Sequence, residues 1–101
     1  MGAVPFIDYG AGSDLAAAFA EAVEDAQHEF GHGPYTGTIA GKEETVTISD
    51  SPLTWKAAQE LAEELIEDRD GPTSDKYGPA GAIRVVDTDR DGWLLFGWAP
   101  S

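Results

Sequence analysis

The chain has 101 residues, 42% of them hydrophobic, and its 19 acidic and 6 basic residues give a formal net charge of −13. This length predicts one domain with a modest core, and the absence of cysteine excludes disulfides and thiolate metal sites. No apolar run approaches the roughly 20 residues of a membrane span, and no basic signal region begins the chain. So acidic a surface repels nucleic acid and anionic membranes. We therefore expect a cytoplasmic protein that binds neither.

The N-terminal third predicts a strand or arm followed by a helix. Residues 1–12 mix apolar residues with proline and glycine, which is typical of a short edge strand or a packed arm. Ser13 or Asp14 can cap a helix that begins near Leu15 and ends near Phe30. Its apolar residues recur at helical spacing and form one stripe: Leu15, Phe19, Ala22, Val23, Ala26 and Phe30.

A β-hairpin is predicted next. Residues 35–40 and 45–49 alternate with the period of a strand, and residues 41–44 supply a polar turn between them. Threonine and serine side chains occupy one face of this hairpin, which suits solvent.

Ser51 and Pro52 predict the start of a second helix, with serine as the cap and proline at the first helical position. The helix is expected to run to about Asp68. Its buried stripe comprises Leu53, Ala57, Ala58, Leu61, Ala62, Leu65 and Ile66, and its opposite side is acidic through Glu60, Glu63, Glu64 and Glu67.

A second hairpin, over residues 82–86 and 93–99, completes the order α-β-β-α-β-β. The predicted fold is α+β, with two helices packed on one face of a mostly antiparallel four-stranded sheet. The last strand is apolar on both faces. Either it lies centrally in the sheet, or Trp93 or Trp98 contacts a partner or a second copy of the chain.

Residues 28–32 match the zinc-peptidase signature H-E-x-x-H. In such a site His28 and His32 would bind Zn²⁺ from one helix face, with Glu29 as general base. The third ligand would come from a downstream carboxylate: Glu60, Glu63 or Glu64. Gly31 and the following Gly-Pro pair end the helix near His32, however, whereas this signature needs a helix that runs through both histidines.

A second metal hypothesis concerns Asp87, Asp89 and Asp91, which with Gly92 match the first half of a calcium loop. The twelfth position, which should be a bidentate glutamate, is Trp98, and the flanks are predicted strands. A polar hairpin turn gives the same pattern. Any Ca²⁺ binding here is expected to be weak.

Three segments resemble those of small uncharacterised proteins of bacteriophages and mobile elements. They are residues 29–40, residues 75–83 and residues 95–99, which together cover about half of the chain. The resemblance implies a small cytoplasmic accessory or host-interaction protein. It also implies that His32 belongs to a turn between helix and strand.

These observations favour a non-enzymatic binding protein over an enzyme. Its acidic surface would engage a basic site on a protein partner, for which a nucleic-acid-binding protein is the natural candidate, and the chain could act as a nucleic-acid mimic. The expected contact residues are Glu60, Glu63, Glu64 and Glu67, with Trp93 or Trp98 as an anchor. Two alternatives remain: a minimal zinc metallopeptidase, and an acidic surface that reflects a salt-loving or high-GC source and implies no partner.

Overall fold

The computed structural model describes residues 2–31 and 37–100. Four strands, two α-helices and a short 3₁₀ turn make up this part of the chain. In order they are β1 (Ala3–Ala11), α1 (Leu15–Phe30), the 3₁₀ turn (Ile39–Gly41), β2 (Thr45–Leu53), α2 (Trp55–Glu67), β3 (Ala80–Val86) and β4 (Asp91–Pro100). Neither helix is long and apolar enough to cross a membrane, within the residues described.

The strands form one mixed sheet in the order β1-β4-β3-β2. β4 is antiparallel to both of its neighbours, and β2 is parallel to β3. The predicted α+β class, with two helices and a mostly antiparallel four-stranded sheet, is confirmed. So is the second hairpin, and the N-terminal segment is a full edge strand.

The two helices lie on opposite faces of the sheet, and the prediction of a single shared face is wrong. α1 contributes Ala18, Ala22 and Ala26 to a core that contains Trp93 and Leu95. α2 contributes Ala58 and Ala62 to a second core that contains Leu94 and Phe96. Successive side chains of a strand point to opposite faces, so β4, which is apolar at consecutive positions, needs a cover on each side. The central strand position and one helix per face supply both covers.

The first predicted hairpin does not form. Residues 35 and 36 lie outside the described residues, residues 37 and 38 form a bend, and residues 39 and 40 belong to the 3₁₀ turn Ile39–Gly41. The Thr38 hydroxyl caps this turn by accepting the Ala40 N–H at 3.2 Å. Ile39 is fully buried beside α1. The local cap and this burial outweigh the weak alternation of the sequence, and β2 pairs in parallel with β3.

α2 begins at Trp55, later than the serine-proline pair at residues 51–52 predicts. β2 runs through that pair to Leu53 at an edge of the sheet, where the missing amide of a proline is tolerated. The Thr54 hydroxyl accepts a backbone N–H of the first turn, and the Asp87 carboxylate accepts the Trp55 N–H at 2.9 Å. The start of the helix is therefore fixed partly by a residue that lies 32 positions later in the chain.

α1 begins and ends where the sequence predicts. Asp14 is its N-cap and accepts the N–H of Ala16 at 3.1 Å, and Gly31 is its C-cap with φ of 99°. The helix comes close to β1 because Gly10 has no side chain: a Cβ there would lie 2.2 Å from the carbonyl oxygen of Ala18. This contact lets α1 pack closely against β1. As a result, the carboxylates of Asp25 and Glu29, further along α1, lie near β1.

Candidate binding surface

Four glutamates form an exposed row on α2, here called the acidic ridge: Glu60, Glu63, Glu64 and Glu67. They occupy the helix side opposite Ala58 and Ala62, which are fully buried against the sheet. Among residues 2–31 and 37–100, no ion pair within 4.0 Å involves any of them. The four predicted contact glutamates are thus accessible to a partner.

Two of the six cations of the chain are engaged away from the acidic ridge. Lys42 is only 5% exposed, and its ammonium group donates to the carbonyl oxygens of Lys76 and Gly78, both at 2.9 Å. Burial lowers its pKa, although the nearby Asp75 carboxylate opposes that shift. Arg84 forms an ion pair with Asp91 at 2.6 Å. Neither of these two cations therefore neutralises the acidic ridge.

A second group of carboxylates lies between β1 and α1. Asp8, Asp25 and Glu29 line a cleft of about 270 Å³, here called the carboxylate cleft. Asp8 is half-buried, and burial raises its pKa above the ordinary value, helped by the negative charges of Glu29 and then Asp25. Each of these causes disfavours the charged form of Asp8. The cleft would therefore gain from a cation placed in it.

We expect Asp8→Asn to stabilise the protein at neutral pH. The pKa of Asp8 is higher in the folded state than in the unfolded chain, so its ionised form opposes folding above the folded-state pKa. As pH falls through that pKa toward 3.8, the folded wild type takes up the proton and the advantage of the variant should shrink. Urea unfolding between pH 4 and 8 measures this.

The matched control is Asp50→Asn, which removes the same charge from an exposed position on β2. It should change stability less at pH 7 and leave the pH profile close to that of the wild type. An Asp8→Asn variant that is no more stable than the control at neutral pH would contradict the inference that the ionised Asp8 carboxylate opposes folding.

An apolar cleft of about 440 Å³ borders the other side of β1. Pro5, Ile7 and Ile66 supply its apolar walls, and Glu63 and Glu67 of the acidic ridge line it as well. We call it the apolar cleft. β1 thus has a carboxylate cleft toward α1 and an apolar cleft with an acidic border toward α2.

The two candidate tryptophan anchors differ in exposure. Trp93 is buried against α1, 7% exposed, with its indole N–H donating to the Ser13 carbonyl at 3.0 Å. Its ring belongs to the core, so little of it is exposed for contact with a partner or a second copy. Trp98 is partly exposed and donates its indole N–H to the Ile66 carbonyl at 2.9 Å. Its contact with a partner stays a prediction.

The zinc-peptidase residues are only partly described. His28 is exposed on α1 and lies in a shallow depression with Glu24, Asp25 and Gln27. α1 ends at Phe30, whereas two ligands one helical turn apart would need the helix to continue to His32, which lies outside the described residues. Glu29 faces the carboxylate cleft. The suggested third ligands, Glu60, Glu63 and Glu64, lie on α2, so the sheet separates them from His28.

Two of the three aspartates of the suggested calcium loop have partners of their own. Asp87 accepts the N–H groups of Trp55 and Thr88, and these bonds lower its pKa. Asp91 is paired with Arg84, and Asp89 is exposed. Among the residues that the structure describes, no three His, Asp or Glu side chains are grouped to hold a metal ion. Asp87 instead fixes the start of α2, and Asp91 pairs with Arg84 of β3. Weak Ca²⁺ binding at this turn stays a prediction.

The surface around β1 and α2 offers carboxylates, apolar walls and a strand edge, which suit non-covalent binding of a basic partner. Comparison with protein-family models, with curated proteins and with solved structures gives no match for this chain.

Proposed function

We propose that this chain is a small acidic binding protein that engages a basic site on a protein partner in the cytoplasm. The observation that carries the proposal is the acidic ridge: four exposed glutamates on one helix face, without a neutralising ion pair among the described residues. Fixed like charges on a rigid helix attract a basic surface without first having to break internal pairs.

A nucleic-acid-binding protein is the partner class that fits this surface best. The groove of such a protein is lined by lysine and arginine that normally contact phosphates. The acidic ridge presents carboxylates along a helix, while the net charge of −13 keeps the chain away from nucleic acid itself. The chain would then act as an inhibitor or nucleic-acid mimic of the kind used by bacteriophages, which agrees with the resemblance of its segments.

The test replaces Glu60, Glu63, Glu64 and Glu67 by glutamine, which keeps their shape and removes their charge. The control replaces four exposed glutamates elsewhere, Glu21, Glu24, Glu43 and Glu44, so that both variants have the same net charge. At roughly 0.5 kcal/mol per exposed charge, the ridge variant should lose about 2 kcal/mol of affinity, or roughly thirtyfold. The control variant should lose only the part of the binding affinity that comes from long-range electrostatic attraction.

Each variant is immobilised and used to capture proteins from a cell lysate at graded salt. The proposal expects the captured proteins to be enriched in basic nucleic-acid-binding proteins, to fall off steeply as salt rises, and to be lost from the ridge variant but kept by the control. Equal capture by both variants, or capture that does not change with salt concentration, would reject the acidic ridge as the binding surface.

A further inference from the structure

The outer edge of β1 is a row of unpaired backbone groups. Gly12, one step beyond the last pair of β1 and β4, donates its N–H to the Asp91 carbonyl, so even-numbered residues direct their backbone groups toward β4. Odd-numbered residues direct theirs outward. No element within residues 2–31 and 37–100 pairs with them. Pro5 belongs to this outward set, as expected of proline in an edge strand, and the free groups include those of Ile7 and Tyr9.

Different surroundings border this edge on its two sides. The apolar cleft lies toward α2, with Ile7 and Ile66 in its wall and Glu63 and Glu67 also lining it. The carboxylate cleft lies toward α1. A strand added beside β1 would send successive side chains alternately to the two sides. One set would meet apolar walls, and the other would meet carboxylates.

We propose that β1 is a docking edge for an extended segment of a basic protein in which apolar side chains alternate with lysine or arginine. The backbone of the segment pairs with Ile7 and Tyr9, its apolar side chains enter the apolar cleft, and its basic side chains enter the carboxylate cleft. The inference rests on the proposed function for the charge of the partner. It adds the place and the conformation in which that partner binds.

A second copy of this chain fits the same edge poorly. Pairing two β1 edges would bring the carboxylate cleft and acidic ridge of one molecule beside those of the other, and like charges oppose such a contact. Pro5 also removes one outward donor from each copy. A basic segment meets no such repulsion, because its charges complement both clefts.

The probe is the seven-residue peptide acetyl-Lys-Val-Lys-Val-Lys-Val-Lys-amide. Its control has the same composition with the four lysines first and the three valines last. Strand addition expects the alternating peptide to bind at least roughly tenfold more tightly than the block peptide, by titration calorimetry. It also expects the amide protons of Ile7 and Tyr9 in the wild-type protein to become protected from exchange when the alternating peptide is added.

Ile7→Pro removes one outward N–H, and Ile7→Ala removes most of the side chain but keeps that N–H. The proline variant should bind the alternating peptide roughly tenfold more weakly than the alanine variant, the size expected from losing one backbone hydrogen bond. Circular dichroism checks that both variants are folded. If the proline variant fails to fold, amide protection in the wild type still decides the question.

Three results would overturn the proposal. Equal affinity for the two peptides, without protection of Ile7 and Tyr9, would mean attraction by charge alone and would leave the proposed function standing. Absence of peptide binding while the acidic ridge still captures basic proteins would reject the edge and keep the ridge. A dimer that is seen by analytical ultracentrifugation and lost in Ile7→Pro would mean that the β1 edge binds a second copy of this chain instead of a basic segment. Loss of ridge-dependent capture, by contrast, would reject the proposed function itself.

Discussion

Gly10→Ala should lower the free energy of unfolding by about 3 kcal/mol, near the upper end of the usual cost of overpacking. The added Cβ would lie 2.2 Å from the carbonyl oxygen of Ala18 and 2.8 Å from its Cα. Both are backbone atoms of α1, so no side chain can rotate away to make room. The helix or the strand must shift as a unit. Urea unfolding monitored by tryptophan fluorescence measures the loss.

Gly12→Ala is the matched control, because it adds the same methyl group without a clash. No atom lies within 4 Å of a Cβ at Gly12, but its φ of 95° is unfavourable for alanine, at about 1 to 2 kcal/mol. A Gly10→Ala variant no less stable than Gly12→Ala would mean that α1 is not seated on β1 at Ala18. The clash also predicts a functional effect, because a displaced α1 carries Asp25 and Glu29 away from Asp8.

Local sequence signals predicted those helices and strands whose ends are fixed by residues nearby in the sequence. Asp14 caps α1 and Gly31 ends it because capping chemistry lies within a few positions of each end. The second hairpin followed from two apolar runs around a polar turn. The start of α2 did not follow, because Asp87 contributes a cap from the distant turn between β3 and β4. No local rule contains such a partner.

The placement of the helices could have been inferred more sharply from β4. Its run of apolar residues requires covers on both faces, and two helices on one face would leave the other face of the sheet open. The parallel pairing of β2 with β3 was harder to predict from the sequence. It depends on the capped turn at Thr38 and on the burial of Ile39, which replace the expected hairpin.

The candidate surface was predicted in part. The acidic ridge followed from the helical period, because glutamates opposite a buried alanine stripe must face outward. The carboxylate cleft was missed, although a signal existed: Asp8 interrupts the apolar run of β1 two positions after Phe6 and shares its face. The contribution of Asp25 and Glu29 depends on how deeply α1 sits on the strand, and that depth is set by Gly10.

Lys42→Met should lower the free energy of unfolding by about 2 to 3 kcal/mol, because it removes charged hydrogen bonds from a buried site. The ammonium group donates to the carbonyl oxygens of Lys76 and Gly78 at 2.9 Å, with that of Asp75 at 3.5 Å. Methionine keeps most of the aliphatic stem but removes the donor to the carbonyls of Lys76 and Gly78. The loss of the cation also ends the cost of burying it, so the net effect is smaller than the sum of the bonds.

Lys56→Met separates the buried contacts from the change in charge. Lys56 is exposed on α2, and the same substitution there also takes the net charge from −13 to −14. Any loss of stability from stronger self-repulsion is common to both variants, so only Lys42→Met should show the additional 2 to 3 kcal/mol. Equal unfolding curves would mean that Lys42 does not hold the turn before β3. Unequal curves would show that this acidic chain uses one of its few cations to support its own fold, which leaves less positive charge to neutralise the acidic ridge.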